Sequence, residues 1–279
     1  MTAPSPADIF LQRTINEMTI DDEPSFAHVA LYADLKAWLR VCNFKFRVLP
    51  PARAERADRV LLLNLTFWGA NEGGDVLVCD AIPADVVTHI AWHNLAARAL
   101  PALRADGAPS VAGLFLGEAI ASAFDLYLVG ALLGRVKKSE FLDSQVPAMA
   151  DAAHAAGLGP NEFAELLASF AADPVRAFED LRELLFDATT ALFACRTVEQ
   201  AAAALAVFDT HRLSSLLHHY ELSNWVLYAR AYGDAAPDAR VAAIDATLRT
   251  EPDALAWLTT NWLSPPIRSL NTESLGPLG

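Results

Sequence analysis

Apolar residues recur at helical spacing along most of this chain and alternate with polar ones over one short stretch. Residues 7–17 read as a short helix. Residues 25–41 read as a second, with Phe26, Ala30, Leu31, Leu35, Trp38 and Leu39 at helical intervals. At residues 43–49 the period changes: Phe44, Phe46 and Val48 alternate with polar neighbours, a strand signal that Pro50 and Pro51 end. Residues 59–67 are an apolar run read as a buried strand. Residues 69–74 are a glycine-rich turn, and 75–79 a returning strand. Residues 43–79 therefore predict a small antiparallel sheet.

From Pro83 onward only helical patterns remain. Pro83 and Asp85 suit the start of a helix that runs to about residue 100. A loop over 102–109 follows, then a long apolar helix over 111–135 capped by Ser110. Further helices are expected over 137–155, 161–171, 174–194, 198–209, 211–231 (with a break allowed), 238–248 and 253–262; Pro265 and Pro266 then end the pattern. The expected fold is α+β and mostly helical, a small sheet feeding a helical body. The expected division is 1–136, 137–263 and an extended tail 264–279, with a single domain as the alternative.

Composition narrows the function classes. Hydrophobic residues make up 53% of the 279 residues, enough for a sizeable core, and the formal net charge is −13. That charge argues against nucleic acid or an anionic membrane as partner, because both need a basic footprint. Cys42, Cys79 and Cys195 are odd in number, far apart and in apolar contexts, as expected of reduced core thiols in a cytoplasmic protein. No basic stretch leads into an apolar one at the start, so no signal peptide is expected. The run 111–136 is long and apolar, but Glu118 and Asp125 interrupt it, which favours a helix buried in a soluble core.

The chemistry is concentrated in two of these helices. His89 and His93 are four residues apart, so they share a helix face one turn apart and two imidazoles can point at one ion. Glu118 stands alone in the next helix, and an antiparallel hairpin returns it to the histidines. Two histidines and a carboxylate are a donor set for a divalent transition metal. The plain alternative is a pair of hydrogen-bonded histidines, with Glu118 neutralised by Arg98 or Arg135, since an unpaired buried carboxylate is costly.

The segments His89-Ile-Ala-Trp-His93 and Gly117-Glu-Ala-Ile-Ala-Ser122 resemble those of the gluzincin metallopeptidases, thermolysin among them, which carry His-Glu-x-x-His and a downstream Asn-Glu-Ala-x-Ser-Asp. The resemblance covers about residues 58–130 and implies His89, His93 and Glu118 as ligands of one metal ion. Two positions depart from it. Ile90 stands where the family keeps its glutamate base, whose loss typically costs ~10²–10⁴ in rate. Ser122 stands where the family has an aspartate that supports a histidine ligand. Asp125, two turns beyond Glu118, shares its face and is the candidate to replace that aspartate.

A second polar-rich stretch holds His211, His218, His219 and Glu221. Interhelical or surface histidines are the plain expectation there. His218 is the candidate to reach the site as proton donor or oxyanion stabiliser, the role of a C-terminal-domain histidine in thermolysin-like enzymes. His28 and His154 are expected to be structural, the tryptophans and Tyr220 to belong to the core, and Trp92 to wall the site. The function expected is that of a metal-dependent enzyme holding one Fe(II) or Zn(II). It would perform non-haem iron oxygenase-type or zinc Lewis-acid chemistry on a small molecule or peptide. An apolar wall at Ile90 would suit the iron version. The alternative is an inactive metallopeptidase-like protein with a structural metal and a protein partner; a helical scaffold without metal stands behind both.

Overall fold

The structure, a computed structural model, describes residues 10–51, 76–100, 110–231 and 238–263. The expected strand at 59–67, the turn at 69–74, the first residue of the strand at 75–79, the loop at 102–109 and the tail from 264 lie outside these residues, as does Trp68.

The described residues begin with strand β1 (Leu11–Arg13), a single 3₁₀ turn (Ile15–Glu17) and strand β2 (Thr19–Asp21), where the pattern predicts a helix over 7–17. Strand β1 is satisfied by partners 35 or so residues away rather than by its own neighbours, and periodicity within a three-residue strand cannot report that. Helices α1 (Glu23–Phe26) and α2 (Ala30–Val41) replace the single expected helix over 25–41. Strands β3 (Phe46–Val48), β4 (Val76–Leu77) and β5 (Ala81–Pro83) follow.

The sheet is mixed rather than antiparallel. β1 pairs antiparallel with β3, Leu11 facing Val48 and Arg13 facing Phe46, while β3 pairs parallel with β4. A second, two-stranded sheet joins β2 and β5 in parallel, Thr19 facing Ala81. Parallel pairs need long connections, here filled by α1 and α2 and by the chain between β3 and β4. Cys79 lies in the exposed bend between β4 and β5, not in the core; all three cysteines are free.

The rest is helical: α3 (Ala84–Ala99), α4 (Val111–Leu132), α5 (Glu140–Ala155), α6 (Pro160–Ala172), α7 (Pro174–Ala194), α8 (Val198–Ala206), α9 (His219–Ala231), α10 (Ala239–Thr250) and α11 (Ala254–Leu258). The stretch expected as one helix over 211–231 is a 3₁₀ turn (Ser214–Leu216) followed by α9, and α11 runs on into a π-helical turn (Thr259–Leu263). The protein is thus α+β and mostly helical.

Helix α4 is apolar on all but one narrow stripe, and such a helix is stable only where its faces are covered. It accordingly occupies the centre, packed most extensively on α7 and then on α3. It is long and apolar enough to cross a membrane, but most of it is buried inside this fold. Ser110 caps it by accepting from the Gly113 N–H at 3.0 Å, and donates to the Asp238 carboxylate that caps α10.

Two glycines set how closely α4 is approached. A Cβ at Gly117 would lie 3.3 Å from the Ala96 Cβ, so α3 and α4 meet at small residues. A Cβ at Gly130 would lie 2.3 Å from the Phe170 carbonyl oxygen, which closes that position to any side chain. One core cluster gathers residues from Ile15 to Leu263, Leu95, Phe124 and Phe178 among them.

Candidate metal centre

Helices α3 and α4 run antiparallel, and the Gly117–Ala96 approach brings their polar stripes into contact. On α3 the stripe is Asp85, His89 and His93, one residue per turn; on α4 it is Glu118, Ser122 and Asp125. His93 meets Glu118, with Nε2 3.6 Å from a carboxylate oxygen. His89 meets Asp125, with Nδ1 2.9 Å from Oδ2. The two imidazoles also approach each other, Nε2 to Nε2 at 3.1 Å. One donor atom from each of His89, His93 and Glu118 lies within 4.8 Å of the other two, an arrangement that can hold a metal ion.

The electrostatics of this cluster are incomplete without a cation. Glu118 is 4% exposed, and its Oε1 is buried with no hydrogen-bond partner. Oδ1 of Asp125 is in the same condition. Buried carboxylate oxygens are ordinarily paired, so two orphans on one helix face are a deficit. The arginines that could have filled it are elsewhere. The Arg98 guanidinium sits over the Trp38 ring, 5.0 Å from its centroid, and Arg135 lies exposed past the end of α4. Burial, reinforced by the Asp125 charge, pushes the Asp85 carboxyl up to about 6.

Asp125 stands where the support of a histidine ligand is needed. A carboxylate accepting from Nδ1 fixes the tautomer that leaves Nε2 free to coordinate, and Nε2 of His89 is the nitrogen turned toward His93. Ser122 lies between the two contacts and faces the cavity. Asp85 was not singled out in the sequence beyond its suitability for a helix start. Its spacing of four from His89 was the available signal.

Beside the cluster opens a cavity of roughly 520 Å³, within the range of small-molecule sites. His89, Glu118, Ser122 and Asp125 form its polar floor. Apolar side chains of α4, α5 and α7, such as Val129, Met149 and Leu181, form much of the wall, joined by Gln145. The far side is α9 and the segment before it, contributing Leu216, His218, Glu221, Leu222 and Trp225. His218 and Glu221 are exposed, so they mark the mouth. His218 thus shares the cavity with two of the three predicted ligands, His89 and Glu118; His93 does not line it. Glu221 and Trp225 share it as well, although the sequence marked the first only as a member of a polar-rich stretch and assigned the second to the core.

Other expectations fail here. Ile90 is 4% exposed and belongs to the core with Val87, Ala91 and Leu95; it is not a wall of the cavity. Trp92 is fully buried, edge-on to Phe124 with ring centroids 5.6 Å apart, and does not wall the site either. Tyr220 is 80% exposed rather than core. The remaining histidines stand apart from the cavity. His211 accepts from the Leu213 N–H at 3.2 Å, and burial holds its imidazole below the ordinary range, partly opposed by Asp180. His219 and His154 are exposed, and the His28 ring lies 3.4 Å from the Ala131 carbonyl.

No protein-family model, curated protein or solved structure matches the chain.

Proposed function

We propose that the protein is a mononuclear metalloenzyme acting on a small molecule. His89, His93 and Glu118 hold one divalent ion, and the adjoining cavity receives the substrate. The observation that carries this reading is the joining of two features: three donors within 4.8 Å of one another, and a cavity large enough for a substrate that two of them, His89 and Glu118, line. A structural metal needs no such access, because structural sites are closed by four protein ligands, whereas catalytic ones keep a position open.

Imidazole and carboxylate donors suit Zn(II) and Fe(II) alike. The ion supplies Lewis acidity in the first case and redox chemistry in the second. An apolar wall at Ile90 would have favoured iron, but Ile90 is turned into the core. An ionisable group on the cavity wall, His218, favours zinc Lewis-acid chemistry, for which it can move a proton. Kinship with the gluzincins is supported by the order of the three ligands along the chain and opposed by Ile90, so standard peptidase chemistry is not proposed.

Elemental analysis of protein purified without a histidine tag tests the reading. One equivalent of zinc or iron in the wild type and none in His89→Ala is expected. Absence of metal from protein refolded with either ion overturns it. Oxygen consumption on loading with Fe(II), absent with Zn(II), would transfer the proposal to the iron chemistry.

A further inference from the structure

The cavity carries more information than its volume. Its described lining includes three carboxylates, Glu118, Asp125 and Glu221, and neither lysine nor arginine. Two of the carboxylates are engaged with the histidines. Glu221 is different: among the described residues it forms no ion pair or side-chain hydrogen bond, and it stands at the exposed mouth. Trp225 lies four residues on along α9, on the same face, and lines the same cavity. A carboxylate beside an aromatic ring is a receptor for an ammonium group, the first by charge and the second by its π face. Between mouth and floor the lining is mainly apolar, with Met149, Leu181, Leu185 and Leu222 in the wall.

We propose that this cavity binds a hydrophobic amine, its ammonium held by Glu221 over Trp225 and its apolar body lying along Leu181, Leu185 and Leu222. The proposal rests on the cavity being the substrate site of the reading above. A second observation independent of Glu221 points to a ligand at the inner end, namely the buried and unpartnered Oε1 of Glu118. Charge selects against the obvious competitors. With neutral histidines and a divalent ion bound, the three carboxylates still leave the lining negative. In the metal-free cavity a carboxylate- or phosphate-bearing molecule would enter without a cation to meet it, and with the ion bound the mouth still offers an anion no partner. A neutral alcohol of the same shape is neither repelled nor held.

Calorimetric titration with 4-phenylbutylamine, 4-phenylbutanol and 4-phenylbutanoate at pH 7 tests this, using metal-loaded and metal-free protein. The alkylamine is cationic there, its pKa being about 10 as for lysine. The amine is expected to bind roughly 10-fold more tightly than the alcohol, as one charge-assisted hydrogen bond provides. The carboxylate should bind most weakly to the metal-free protein. Glu221→Gln, a change at an exposed position, should bring the amine to the level of the alcohol and leave the alcohol unchanged. Carboxylate binding to metal-free protein as tight as the amine's, an amine-to-alcohol ratio unmoved by Glu221→Gln, or failure of all three to bind overturns the proposal. Elemental analysis of the same samples keeps the two readings apart. A Glu221-dependent amine preference in protein that takes up no metal sinks only the metal. Metal uptake without that preference sinks only the amine.

Discussion

Two of the groups of buried charged side chains among the described residues differ in how their charge is balanced. The first joins α7 to α10. Arg182 is fully buried and donates to Asp245 at 2.7 Å; Arg249 donates to the same carboxylate at 2.7 Å and to Asp187 at 2.6 Å. Burial works against the Arg249 charge, but the carboxylates of Asp187 and Asp245 outweigh it and raise its pKa. The second group joins α3 to α4: His89, His93, Glu118 and Asp125. Here the carboxylates have only imidazoles beside them, one oxygen of each is orphaned, and a cavity lies against them. In the first group every charge faces an opposite one, although the buried Arg182 Nε lacks a hydrogen-bond partner, and the network holds two helices together. The second is complete only when something positive is added, and it has a route by which that can arrive. Charge balance together with access separates a structural network from a site better than burial does.

The largest contrast should appear on removing one member from each group. Arg182→Ala takes from Asp245 the fully buried one of its two arginine partners, and losing a hydrogen bond to a charged group costs about 1.5–3 kcal/mol. In metal-free protein Glu118→Gln should change stability by less than about 1 kcal/mol, because the amide replaces a carboxylate that already lacks one partner. Urea unfolding of both variants measures this directly. Equal losses would mean that the second group is structural too.

The spacing of α3 and α4 is the next point of attack. Gly117→Val forces the Ala96 methyl away from a contact that is already 3.3 Å for a bare Cβ, and overpacking of this kind costs about 1–3 kcal/mol. The helices would separate at the level of Glu118 and metal affinity should fall with stability. An unchanged metal affinity would show that the donors do not depend on this close approach. The Arg182 network, on another helix pair, should be unaffected by the change.

A smaller effect is expected at Asp125. Asp125→Asn keeps the shape and removes the charge that orients His89, which typically costs 10–100-fold in metal affinity. Ser122→Ala should cost far less, since the contact to His89 runs through Asp125 and not through Ser122. Competition against a chromophoric chelator measures both. If Ser122→Ala proves the more damaging, the serine rather than the aspartate supports the ligand.

The two groups also differ in how far the sequence disclosed them. The spacing of His89 and His93, and Glu118 alone in an apolar helix, were legible because helix periodicity is local and the hairpin is short. Helix α7 was bounded correctly at 174–194 for the same reason, and Ser110 announced the start of α4. The orientation of Ile90 was legible as well, since Val87, Ile90, Ala91 and Leu95 make one apolar stripe a sixth of a turn or more from the histidines. Matching a motif obscured that stripe. The strands at 11–13 and 76–77, by contrast, exist through pairing with distant segments and have too few residues to show a period. The meeting of Glu221 and Trp225 with Glu118 depends on how α9 packs across α4 and α7, a contact separated by some hundred residues. The Arg182–Asp245 pair is equally nonlocal, and no spacing rule announces it.

The mildest test of the contrast is the pH dependence of metal-free protein. Burial and the Asp125 charge raise Asp85 from 3.8 to about 6 in the folded chain, so between those values the folded state holds a proton that the unfolded state has released. Stability from this group is therefore present below about pH 4 and is lost as pH rises to about 6, the reverse of an ordinary paired carboxylate. Asp85→Asn abolishes the loss, so the variant should gain on the wild type by an amount on the order of 1 kcal/mol between pH 4 and pH 7, after allowance for solvent screening. The difference between the two proteins is the quantity to follow, because other carboxylates give both a common slope. Asp125→Asn should reduce the gain, since its charge is one of the two causes; no comparable gain should come from Asp187→Asn, whose carboxylate already faces Arg249. A difference between wild type and Asp85→Asn that is constant over this range would mean that the α3–α4 stripe carries no unbalanced negative charge, and the distinction between the two buried groups would go with it.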